Sequence, residues 1–162
     1  MKKPIIITVT ICVVIILIAL FIARFISINK DKIAISAYDF QNNMESKGYI
    51  INDASEQFED YNNIKQVYLA IKEDYSYQIE FYEFSDAENA QDFFEYNKSI
   101  FESSKGSSSA EKSTALKNYS KYTLSTSGEY KVLSRIDNTV VYINVDAEYK
   151  NEINDVLKEL GY

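Results

Sequence analysis

The sequence predicts an α+β domain: a mainly antiparallel sheet of about five strands with helices on one face, preceded by one N-terminal transmembrane helix. Three observations carry this expectation. An almost unbroken apolar run fills residues 4–28, and a polar, acidic chain follows it. Beyond the run, segments whose apolar residues recur at helical spacing alternate with segments of period two. Their order is helix, two strands, helix, three strands, helix, which suits helices laid on an antiparallel sheet.

The apolar run is read first. Residues 4–23 carry no charge, and a helix spanning the hydrocarbon core needs roughly 20 apolar residues. The run is rich in β-branched side chains, but an isolated strand in lipid leaves its backbone unpaired, so a helix is expected. It is longer than the roughly 7–15 apolar residues of a signal peptide, and no cleavage pattern follows closely, so an uncleaved anchor over 1–28 is expected. Lys2 and Lys3 balance Arg24, Lys30 and Lys32 nearly evenly. A short basic tail before a first apolar run usually stays inside. The N-terminus is therefore placed in the cytoplasm and residues 29–162 outside, as a single domain.

Within that domain each element has its own signal. Ile33, Ala37, Phe40 and Met44 mark a helix over 31–47, which Gly48 ends and Tyr49 folds back upon. Asp53 and Glu56 suit the start of a short helix through 54–60. Residues 64–72 and 75–84 read as a hairpin turning at Glu73-Asp74. The capping box Ser85-Asp86-Ala87-Glu88 opens a helix with Ala90, Phe93, Phe94 and Phe101 on its inner face. Residues 103–117 begin as a serine-rich tract and read as a flexible loop. A meander follows at 119–125, 129–136 and 139–145. Tyr149, Ile153, Val156, Leu157 and Leu160 mark a last helix, ended by Gly161 in the same way as the first.

The meander also predicts a surface. A two-residue turn at Asp137-Asn138 places Tyr130, Val132, Ile136, Val141, Ile143 and Val145 on one apolar face. The preceding turn has two registers. A Ser127-Gly128 loop puts Lys121 and Thr123 on that apolar face; a Thr126-Ser127-Gly128 loop puts Tyr122 and Leu124 there. The second suits a one-sided sheet and a left-handed Gly128, and it is the one expected. It gathers Tyr119, Lys121, Lys131, Leu133, Arg135 and Tyr142 on the opposite, exposed face. Tyr and Arg favour recognition, so these six residues are the candidate site, to be weighed against an ordinary solvated or helix-covered face.

Composition excludes much chemistry. With no histidine in the chain, imidazole acid–base catalysis and triads are impossible. The single thiol, Cys12, lies in the apolar run. Ser109-x-x-Lys112 lacks the companion motifs of penicillin-recognising enzymes, and Ser27-x-x-Lys30 matches the same pattern. No metal or cofactor motif is present, and no cofactor is expected. All 24 acidic residues lie at or after Asp31; with the 14 basic residues of 29–162, which include Lys30, the charge of 29–162 is −10. That charge repels nucleic acid. Abundant Asn, Ile, Lys and Tyr point to an AT-rich bacterial source. The expectation is a non-catalytic binding domain held outside the membrane, taking a protein, acidic polymer or headgroup. The alternatives are an accessory subunit of a membrane complex and a hydrolase working with carboxylates alone.

Overall fold

A computed structural model describes residues 15–21 and 31–162. Contacts divide the chain into two units, Met1–Asp31 and Lys32–Tyr162. In the first, residues 15–21 are helical; the rest of the expected anchor over 1–28 lies outside the described residues. Among the described residues, no helix is long and apolar enough to cross a membrane.

The second unit is α+β. Its helices are α1 (Ala37–Ser46), α2 (Ala87–Ser103) and α3 (Lys150–Leu160). Its strands are β1 (Ile50–Asp53), β2 (Ile64–Ile71), β3 (Gln78–Phe84), β4 (Ala110–Ala115), β5 (Tyr119–Ser125), β6 (Glu129–Ile136) and β7 (Thr139–Asp146). The seven strands form one antiparallel sheet in the order β1-β2-β3-β7-β6-β5-β4. It is two meanders placed side by side, joined where β7 pairs with β3.

The expected five strands are thus seven. Ile50–Asp53 forms a short edge strand on β2. Ala110–Ala115 forms the opposite edge, inside the stretch expected to be a loop. Its alternation was hidden because neither of its faces is apolar: Glu111 and Ser113 alternate with Lys112 and Thr114, and nearly all of the strand is exposed.

The helices are not on one face. Phe40 and Met44 of α1 join Ile153, Leu157 and Leu160 of α3 over Ile79, Phe81, Val132, Val141 and Ile143. On the other face, Ala90 of α2 meets Val67, Tyr82, Phe84 and Val140. Phe94 and Phe101 of α2 cover Tyr122, Leu124 and Leu133. Both faces of the central strands are therefore buried, and β6 is covered from Tyr130 to Ile136.

This overturns the expected register. Tyr122 pairs with Leu133 and Lys121 with Ser134. Thr126 and Glu129 close on Ser127-Gly128, with the Thr126 N–H donating to the Glu129 carbonyl at 2.9 Å. The Thr126 hydroxyl accepts the Glu129 N–H at 2.9 Å and steadies the turn. Gly128 does not take a positive φ, so the left-handed residue that favoured the longer loop is not needed. The Asp137-Asn138 turn and the apolar face of β6 and β7 are as expected.

Local chemistry moves some boundaries. Helix α1 starts after Ser36, not at 31, because the Ser36 hydroxyl accepts the Asp39 N–H and the Asp39 carboxylate accepts the Ser36 N–H. Ile33 is therefore off the helix and 86 % exposed. Helix α2 is capped by Asp86, whose carboxylate accepts the Asn89 N–H at 2.9 Å, rather than by Ser85. A four-residue turn joins β2 to β3, with the Lys72 N–H donating to the Tyr77 carbonyl, so Tyr75 is a turn residue at φ 60°. The short helix expected over 54–60 is a 3-10 turn at Ser55–Phe58, with Asp53 accepting the Ser55 N–H. Both Gly-Tyr endings hold: Gly48 and Gly161 have φ of 83° and 86°, and Tyr49 and Tyr162 donate their N–H groups back to Met44 and Leu157.

Candidate functional site

The six residues singled out by sequence do not form one surface. Lys131, Leu133, Arg135 and Tyr142 lie on the α2 face, and Tyr119 and Lys121 lie on the other. The first group is held beneath or beside α2. Leu133 is fully buried, Arg135 is 6 % exposed and Lys131 is 8 % exposed. The Lys131 ammonium donates to the Ser104 hydroxyl at the end of α2 (3.2 Å) and lies 3.1 Å from the Glu129 carboxylate. Arg135 donates to the Asp137 carbonyl at 3.0 Å. The Tyr142 ring lies 5.2 Å from that of Phe101. The Lys131–Ser104 and Tyr142–Phe101 contacts tie α2 to the sheet, Arg135 bonds within the β6–β7 turn, and Lys131, Leu133 and Arg135 are buried rather than on an open face.

Tyr119 and Lys121 open a different site. On the α1/α3 face, the β4–β5–β6 end of the sheet extends past the helices and forms a groove of about 470 Å³. Thr114, Lys112 and Ala110 from β4 and Tyr119, Lys121, Thr123 and Ser125 from β5 form its floor; Tyr130, Lys150 and Asn154 form its far wall. Period-two alternation places these β4 and β5 side chains on one face; Glu111 also borders the groove, but its carboxylate accepts from the Tyr122 hydroxyl and pairs with Lys105 on the other face.

The groove is cationic in an acidic domain. Lys112, Lys121 and Lys150 have no side-chain carboxylate within ion-pair distance among the described residues, whereas Lys47, Lys72, Lys98, Lys105 and Lys131 each have one. The Lys150 ammonium donates to the Ser125 hydroxyl at 3.1 Å and stands 5.2 Å over the Tyr130 ring. Tyr130 donates its hydroxyl proton to Asn154 Oδ1 at 2.8 Å. Among the described residues, Lys121 donates to the Tyr162 main-chain oxygen, at 3.3 Å. Lys32 lies beside this end, 3.9 Å over the Tyr119 ring, and donates to the Gly161 carbonyl at 2.7 Å. Burial, with repulsion from Lys32 and Lys112, pulls the Lys121 ammonium down to about 8. Such a cation is stabilised by an incoming anion.

A second cleft, of about 580 Å³, opens where β3 and β7 part beyond the Glu80–Tyr142 pair. Glu80, Glu129 and Asp146 line it, the carboxylates that a hydrolase without histidine would need. They are already engaged in part. Glu80 accepts from the Tyr82 hydroxyl (2.6 Å) and the Gln78 amide (3.0 Å), and Glu129 faces Lys131.

Sequence reasoning found Tyr119 and Lys121 and missed Lys112, Lys150, Thr114, Thr123, Ser125 and Asn154. The signal for two of them was the shorter Ser127-Gly128 loop, which puts Thr123 and Ser125 beside Lys121 on the face of Val132. No known protein family, curated protein or solved structure matches this chain.

Proposed function

We propose that this chain is a non-catalytic binding module. Residues 1–28 tether it to a membrane, and the domain from residue 29 onward, held outside, captures an acidic partner in the lysine groove. One observation carries the reading: Lys112, Lys121 and Lys150 converge on a groove with no side-chain carboxylate partner among the described residues, and residues 29–162 have a net charge of −10. The half-buried Lys121 ammonium, whose affinity for its proton burial lowers, is costly to keep charged, and an anion relieves that cost; Lys112 and Lys150 are exposed and add charge.

The tether rests on the length and apolarity of 4–23. The test uses the full chain in a neutral detergent, titrated with polyglutamate and with tripolyphosphate. Binding that is lost on Lys112→Glu with Lys121→Glu supports the groove. Absence of binding, or binding unchanged by the double substitution, refutes it. Protease access to a C-terminal tag in intact cells tests the sidedness, and a protected tag refutes an outside domain.

A further inference from the structure

We infer that the groove receives an extended acidic segment of a protein partner, which adds to the sheet as a strand along β4. The inference rests on the reading of the groove as an anion site and names its occupant.

Strand β4 is an edge, with no strand beyond it among the described residues. Antiparallel partners exchange main-chain hydrogen bonds at alternate residues. The Leu116 N–H donates to the Tyr119 carbonyl at 2.7 Å, so the even-numbered residues of β4 face β5. Glu111, Ser113 and Ala115 therefore turn their main-chain N–H and C=O groups outward, as an open template for another strand.

The lysines follow the same period. Three successive pairs on the groove face are Thr114–Lys121, Lys112–Thr123 and Ala110–Ser125. The first two each contain one lysine, and Lys150 supplies the third at Ser125. Successive pairs on one face are about 7 Å apart. That is also the spacing of side chains i, i+2 and i+4 on an added strand, so carboxylates at those positions meet one cation each. Lys121 stands on the second strand across the small Thr114, and Lys150 reaches Ser125 on that strand from α3, across the small Ala110. Two strand spacings are about 10 Å, which a Glu side chain and a Lys side chain bridge between them. Thr114, Thr123 and Ser125 add hydroxyl groups, and no acid lies on this face of β4, β5 or β6. A phosphate polymer satisfies the charges but leaves the open edge of β4 unused.

The test is fluorescence anisotropy of labelled heptapeptides with the full chain in neutral detergent. The probe is Thr-Glu-Thr-Glu-Thr-Glu-Thr. Its first control is N-methylated at each Thr, which keeps every charge and removes the donors facing β4. Its second control gathers the three Glu residues together, which splits the carboxylates between two faces. The expected result is binding of the alternating peptide and roughly tenfold or greater weakening for both controls. Ser113→Pro, which removes one outward N–H and no bond to β5, should also weaken the alternating peptide by about tenfold. Equal binding of the alternating and N-methylated peptides, still abolished by Lys121→Glu, overturns strand addition and leaves the anion groove standing. Tight binding of tripolyphosphate with no preference among the peptides does the same. No binding of any of these anions overturns both readings.

Discussion

Replacing Lys121 by Met removes a charge and keeps most of the stem that fills the groove floor, so it isolates the cost of the buried ammonium. Burial and the neighbouring Lys32 and Lys112 lower its pKa from an ordinary 10.5 to about 8. Each tenfold loss of proton affinity corresponds to about 1.4 kcal/mol, so the charged form opposes folding by at most about 3 kcal/mol. Partial solvent access cuts this to roughly 1–2 kcal/mol. The sign follows from proton binding. Between pH 8 and 10.5 the unfolded chain holds a proton that the folded chain has released, so wild-type stability gains from this group as pH rises through that window. Below pH 8 the penalty is fully present. Lys121→Met should therefore stabilise the domain by roughly 1–2 kcal/mol at about pH 7, a rise in Tm of about 4–8 °C, with the gain fading by about pH 10.5. Urea unfolding followed by far-UV circular dichroism at about pH 7 and about pH 10 measures both values. A variant that is less stable at neutral pH, or a difference that does not change with pH, refutes the assignment of Lys121 as a desolvated cation.

Three further outcomes follow from named contacts. Binding of polyglutamate should weaken by up to about tenfold between about pH 7 and about pH 9, because Lys121 loses its proton near 8 in the free protein and binding must restore it; a flat profile by calorimetry counts against Lys121 as a contact. Arg135→Glu with Lys131→Glu should unfold the domain, since it leaves two carboxylates under α2 at positions now 6 % and 8 % exposed; each uncompensated buried charge costs about 3 kcal/mol or more, and a cooperative melt near the wild-type temperature contradicts the burial. Gly161→Ala should cost about 1–2 kcal/mol in urea unfolding, because φ of 86° is a left-handed conformation that a Cβ opposes.

The sequence was most legible where burial was one-sided or a residue had a single use. Gly48 and Gly161 ended helices because a left-handed residue was needed there. The Asp137-Asn138 turn fixed the β6–β7 pairing because only one register made a continuous apolar face. Legibility failed where both faces were covered. Tyr122 and Leu124 looked like core facing Val132, and they are core, but beneath Phe94 and Phe101 of α2 on the other side. A local pattern cannot tell which of two layers a side chain enters when both are apolar. Strand β4 failed for the opposite reason: an exposed edge needs no apolar alternation, so its serine and lysine content read as loop. The candidate site inherited both errors. Local pattern assigns Arg135 and Lys131 to an open face because it does not place the covering helix, and it leaves Lys112 in the loop.

The lysine groove and the −10 charge of the surrounding domain act in opposite directions on any anion, and distance decides which prevails. At physiological ionic strength the screening length is about 8 Å, and at roughly 0.01 M salt about 30 Å. A carboxylate already seated in the groove is within a few ångströms of Lys112, Lys121 or Lys150, so it feels the lysines more than the outer acids. A peptide still approaching feels the whole domain, and at low salt that field is repulsive. The two stages should therefore respond oppositely to salt. The association rate of the alternating peptide should rise as salt increases from about 0.01 to about 0.1 M, because the long-range repulsion is screened first. The dissociation rate should rise as well, because the close pairs in the groove also weaken. A basic protein binding the same peptide loses association rate with added salt. Stopped-flow anisotropy across that range separates the two cases. An association rate that falls with salt means that the approach is steered by a wider basic surface than these three lysines provide, and places the peptide elsewhere on the domain.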